Sequence, residues 1–169
     1  MRPVLALLVT CLGCGHPAPT APPPPTGPAA LDAMDPRQPL PLLPMMALHQ
    51  KEQMRSHLEA IEGVVTHLAT RDWAAVEAAS LRLGTSPSMA QTCEHMGAAA
   101  PAFTEAALRF HRTADTITAA ARAQDADAVL RATSATLTAC TTCHAAWRQQ
   151  VLSPDDHAAA VLAVGPPRR

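Results

Sequence analysis

Close to the C-terminus the chain reads Cys140-Thr141-Thr142-Cys143-His144-Ala145-Ala146-Trp147-Arg148. Two cysteines three residues apart lie about one turn apart on a helix. Each thiol can then add across one vinyl group on the same edge of a porphyrin. The histidine that follows is placed to offer an imidazole nitrogen to the iron. This Cys-x-x-Cys-His spacing is the attachment signature of c-type haem. Cys140 and Cys143 are therefore expected as thioether anchors of one haem per chain, and His144 as the proximal iron ligand. Two other chemistries use the same residue types. A redox dithiol of the thioredoxin kind belongs beside a βαβ pattern, and the sequence predicts no strands. A zinc site needs four ligands from paired clusters, and the nearest second half, Cys93 with His95, lacks the usual spacing.

Composition narrows the setting. Of 169 residues, 48% are hydrophobic, yet the chain has only two Phe, two Trp and no Tyr. A small domain with so few aromatics gains much from a large flat apolar cofactor in its core. The formal net charge is −1, with no block of Lys or Arg, which argues against nucleic acid and polybasic membrane binding. No nucleophile–base pair, phosphate loop or carboxylate pair points to an enzyme. Cys93 is expected as a small buried residue and not as half of a disulfide.

Residues 1–14 have the form of an export signal. Met1-Arg2 is the charged start and Val4-Leu5-Ala6-Leu7-Leu8-Val9 the apolar run. That run is too short for a permanent span. It ends in Cys11-Leu12-Gly13-Cys14, which resembles the lipobox of bacterial lipoproteins, with Cys14 as the residue to be diacylated. The resemblance implies a periplasmic protein held at a membrane surface by its N-terminal lipid. Residues 15–45 hold most of the prolines, including Pro22-Pro23-Pro24-Pro25. Proline removes backbone donors and fixes φ, so this segment is expected to be an extended, disordered linker with no packed core.

From residue 46 the apolar period becomes helical. Met54, Leu58, Ile61, Val65 and Leu68 recur at steps of four and three, with Lys51, Glu52, Arg55, Glu59 and Glu62 mostly on the other side. Asp72 is a candidate N-cap for a second helix carrying Trp73, Val76 and Leu83. Residues 88–100 are read as a loop with a short helical turn. Pro101 suits the first position of a third helix, striped with Phe103, Ala107, Phe110, Ala114, Ile117 and Ala121. After a break at 124–127, a fourth helix is expected to carry Leu130, Thr133, Leu137, Cys140, His144, Trp147 and Val151 on one face, with His144 turned into the bundle. Ser153-Pro154 ends it, and residues 153–169 are expected to be a flexible tail. The fold class is thus all-α, an antiparallel four-helix bundle over residues 46–152 with covalently bound haem between facing helices, behind a signal peptide and Pro-rich linker.

With its haem motif on the last helix of such a bundle, the chain resembles the cytochrome c-prime family, the class II c-type cytochromes. The matching residues are Cys140, Cys143, His144 and the basic Arg148. Trp147 stands where that family has Tyr or Phe, and a weaker match runs from Gln53-Met54-Arg55 to Ala78-Ala79. The resemblance implies a bundle in which Arg148 lies near the proximal haem face and Trp147 packs on the porphyrin or the helix interface. Family members either leave the distal face open behind apolar side chains and bind small gases, or place a methionine from the first helix on the iron. Met54 falls at that methionine position, with His49, His57 or no ligand as the alternatives. Arg55 beside it is a candidate partner for a haem propionate. A thioether ligand favours electron transfer over gas binding. The resemblance therefore implies a low-spin electron carrier working with a redox partner protein, with a five-coordinate protein that binds small gases at an open distal face as the alternative, and homodimers are common among such proteins.

Overall fold

The structure, a computed structural model, describes residues 26–165. The expected export signal, the expected lipidation residue Cys14 and the tetraproline run lie outside the described residues. The chain divides at Pro36 into two units. In the first, Pro28–Met34 forms a short helix, α1, entered through Gly27.

The second unit is mostly helical. It contains strand β1 (Gln38–Leu42), helices α2 (Pro44–Ala69), α3 (Trp73–Leu81), α4 (Pro87–Met96), α5 (Pro101–Arg122) and α6 (Ala126–Ala146), strand β2 (Trp147–Val151) and helix α7 (Pro154–Val164). Local chemistry sets most of these boundaries. Proline opens α2, α4, α5 and α7, where its missing N–H costs nothing. The side chains of Asp72, Ser86, Asp125 and Ser153 accept backbone N–H bonds as N-caps, satisfying donors that the first turn leaves open. Arg71 and Gln124 take the left-handed conformation, with φ of 57° and 56°, to turn the chain between α2 and α3 and between α5 and α6.

Helix α2 packs on α3, α3 on α5, and α5 on α6. Their shared core contains Ala60, Ile61 and Val64 of α2, Val76 of α3, Phe110, Ala114 and Ile117 of α5, and Val129 of α6. Gly63 lets α2 and α3 approach closely: a Cβ there would lie 3.3 Å from that of Ala79. Polar groups inside this core are mostly paired. Ser80 and Thr118 hydroxyls meet at 2.8 Å, and Thr133 and Thr136 bond back to carbonyls of their own helix. Burial of each large aliphatic here contributes about 1.5–3 kcal/mol.

Four expectations are corrected. The segment before Pro44 is not wholly an unpacked linker. In β1, Leu40 and Leu42 are buried in a second core with Met46, Met96 and Phe103. Pro39 and Pro41 alternate with these leucines, so the positions lacking N–H fall on the edge that needs no donor. The fourth helix does not reach Val151. It stops at Ala146, and Trp147–Val151 pairs in parallel with β1, Gln38 opposite Trp147 and Leu42 opposite Val151. Trp147 and Arg148 therefore lie on a strand and not on the helical stripe. Residues 87–96 form a ten-residue helix, held by its Pro87 start and Ser86 cap. Residues 154–164 are helical as well, capped by Ser153, although none of them is buried.

Candidate haem-attachment site

The motif lies in the last two turns of α6. Cys140 and Cys143 are free thiols, both half-buried. Burial raises the pKa of each thiol, and for Cys143 the neighbouring Cys140 adds to the effect. Reactive dithiols have the opposite character, with a thiolate favoured at a helix N-terminus. Here the pair sits at a C-terminal end, where the helix dipole opposes negative charge. Burial and this position both work against a thiolate and so disfavour a redox dithiol. A zinc cage is disfavoured too, because among the described residues no group of three or more His, Cys, Asp or Glu converges on one point.

His144 is exposed and not turned into the bundle. The reason is angular. On α6 the buried seam runs through Val129, Thr133 and Thr136, while Leu130, Leu137 and His144 recur every seven residues along its flank. Leu130 and Leu137 are 52% and 41% exposed. On α2 the seam runs through Gln50, His57, Ile61 and Val64, and the flank away from α3 carries Met54, Leu58 and Val65, exposed by 39%, 67% and 50%. Two helices that do not pair extensively with one another thus each present a stripe of large apolar side chains. Exposed apolar surface at this spacing is a mark of something to be covered.

This arrangement fits covalent haem: two free thiols one turn apart, an adjacent exposed imidazole with no side-chain hydrogen bond among the described residues, and apolar flanks on α6 and α2. Met54 belongs to the flank. His49 is exposed near the start of α2. His57 instead turns into the core, its ring 5.0 Å from that of Phe110 and 5.4 Å from that of His111. His57 Nε2 is buried with no hydrogen-bond partner among the described residues. Burial, then the charges of His111 and Arg82, push the His57 pKa down to about 4. The Nδ1 of His111 bonds the Leu83 carbonyl at 2.7 Å; burial lowers its pKa, against that bond and Asp115, which raise it. Of the three candidate distal ligands, Met54 is the one on the apolar flank.

Other expected site residues are placed differently. Arg55 is exposed on α2. Trp147 packs edge-on to Phe103 at 5.8 Å, in the second core. Arg148 is half-buried on β2, opposite Pro39. Sequence reasoning missed Arg37, whose guanidinium donates to the backbone carbonyls of His144 at 3.2 Å and Trp147 at 3.4 Å. Nothing in the Pro-rich surroundings of Arg37 signals a contact more than a hundred residues away.

No family model, curated protein or solved structure matches the chain. Among the described residues no helix is long and apolar enough to cross a membrane.

Proposed function

We propose that this chain is an exported c-type haem protein that carries single electrons, related in plan to the class II c-type cytochromes. The observation that carries the proposal is the pair of free thiols, Cys140 and Cys143, one turn apart beside the exposed imidazole of His144, on a helix whose flank carries Leu130 and Leu137. Helices α2, α3, α5 and α6 would then serve as a four-helix frame, with haem c between the flanks of α6 and α2. Cys140 and Cys143 would hold the porphyrin through thioethers, and His144 would be the proximal ligand. Met54 would supply the distal thioether, while Leu58, Val65 and Leu137 would exclude water. A bound haem would supply a one-electron couple at its iron, and a thioether ligand raises its potential. The export signal and Cys14 support a periplasmic, lipid-anchored location, since c-type haem is joined to its protein outside the bacterial cytoplasm. A redox protein is the partner this reading requires, and no enzymatic role is proposed.

One observation favours a second reading, a five-coordinate haem that binds small gases. Leu58 lies one turn from Met54 on the same flank and would make an apolar lid over an open distal face. Absorption spectra of the haem-loaded protein separate the two. Electron carriage with Met54 bound predicts sharp, split ferrous bands and slow reaction with carbon monoxide. Met54→Ala should then broaden the bands and speed that reaction. An unchanged spectrum would remove Met54 as a ligand.

A further inference from the structure

We infer that Arg37 is a positioning residue for His144, clamping the end of α6 from the N-terminal strand and placing a fixed positive charge beside the axial ligand. This inference rests on the haem reading above. A helix leaves its last carbonyls without partners, and α6 ends with no glycine to close a left-handed cap. The N–H of Trp147 bonds the Cys143 carbonyl, but the His144 carbonyl is met by Arg37. The same Nη1 reaches the carbonyl of Trp147, so one guanidinium spans the junction between α6 and β2. A cation is also favoured there by the helix dipole.

The arginine owes its position to packing elsewhere. It directly precedes β1, which is fixed by the burial of Leu40 and Leu42 and by its pairing with β2. The N–H of Leu152 extends the pairing by donating to the Leu42 carbonyl at 2.9 Å. A second pin joins β2 to α2, the helix that carries Met54. The Gln149 side-chain amide donates to the Ala47 carbonyl at 3.1 Å and to Gln50 Oε1 at 2.6 Å. The backbone of the proximal ligand is therefore held by α6 on one side and by the Arg37 strand on the other, and the same small sheet is tied to the start of α2. A guanidinium held at the ligand's backbone disfavours the more positive oxidised iron through Coulomb repulsion. Its presence raises the reduction potential.

The test compares four haem-loaded proteins made in a host with c-type haem ligation machinery: the parent, Arg37→Gln, Arg37→Lys, and Arg109→Gln as a control for net charge on an exposed stretch of α5. Midpoint potentials are read by redox titration, with absorption spectra recorded at each step. The expected result is a lower midpoint in Arg37→Gln than in the parent, a smaller shift in Arg109→Gln, and recovery toward the parent value in Arg37→Lys. A midpoint in Arg37→Gln equal to that of the parent, or displaced no further than that of Arg109→Gln, overturns the inference. Should Arg37→Gln not fold, the lysine variant decides: a midpoint equal to the parent's supports the charge, and a midpoint lowered by more than that of Arg109→Gln contradicts it. A colourless parent chain would be a separate failure, that of the haem reading itself.

Discussion

Among the described residues there are two hydrophobic cores, and they are assembled in different ways. The larger lies among α2, α3, α5 and α6 and draws on side chains repeated at helical spacing, such as Phe110, Ala114 and Ile117. The smaller gathers Leu40 and Leu42 from the N-terminal strand, Met46, Phe103 and, at its edge, Cys143 and Trp147. The first core follows from local periodicity. The second exists because two distant ends of the chain meet, and the haem motif lies between the two, with Cys140 packed on the first core and Cys143 on the second. The difference teaches that the frame and the fastening of this site have separate origins: the helices supply apolar flanks, and the strand pair fixes where α6 ends.

The sharpest break of this contrast is a pair of truncations. Ile117→Ala in the first core and Leu42→Ala in the second remove side chains that are both fully buried. Each should cost about 2–5 kcal/mol in urea unfolding. If the segment before Pro44 were only a tether, Leu42→Ala would leave the unfolding midpoint in place.

Acid acts on the first core. His57 is neutral in the folded state down to a pKa of about 4, whereas an unfolded histidine titrates near 6.5. Above that value both states are neutral and the group adds no pH dependence. As pH falls from about 6.5 to about 4, the unfolded state takes up a proton that the folded state refuses, so stability declines, by on the order of 3 kcal/mol in total. The lowered pKa of His111 acts in the same direction. His57→Leu should flatten the loss across this window, as followed by denaturant titration at several pH values. An undiminished slope would place the acid sensitivity elsewhere.

The smallest effect sharpens the comparison between core and flank. Leu137 is 41% exposed, so Leu137→Ala should change the stability of the haem-free chain by no more than about 0.5 kcal/mol. In the haem-loaded protein the same change should be clearly destabilising, because the leucine then packs against the porphyrin. Equal small effects in both forms would mean that the flank of α6 does not line the site.

Much of the helical frame was legible. Asp72 caps α3 as its position suggests, Pro101 opens α5, and the stripe from Phe103 to Ala121 faces inward. The flanks were harder to read. Met54, Leu58 and Leu137 fit a helical stripe but lie beside the buried seam, and a period of 3.6 does not separate neighbouring lines of one face. The strands were hidden for a different reason. Pro39 and Pro41 dominate the composition of their segment, and the leucine alternation between them spans only two residues. Trp147–Val151 contains no helix breaker, so only its pairing with β1 and the Arg37 contacts end α6 where it ends. Those are tertiary effects that override local propensity.

The central claim is that a porphyrin is joined to Cys140 and Cys143 beside His144. The most direct measurement is the mass of the fully denatured chain, purified from a host with c-type haem ligation machinery, next to that of a Cys140→Ala, Cys143→Ala variant. The parent is expected to carry one haem through denaturation, and the double variant to have the mass of bare polypeptide. A parent chain with the mass of bare polypeptide would contradict it.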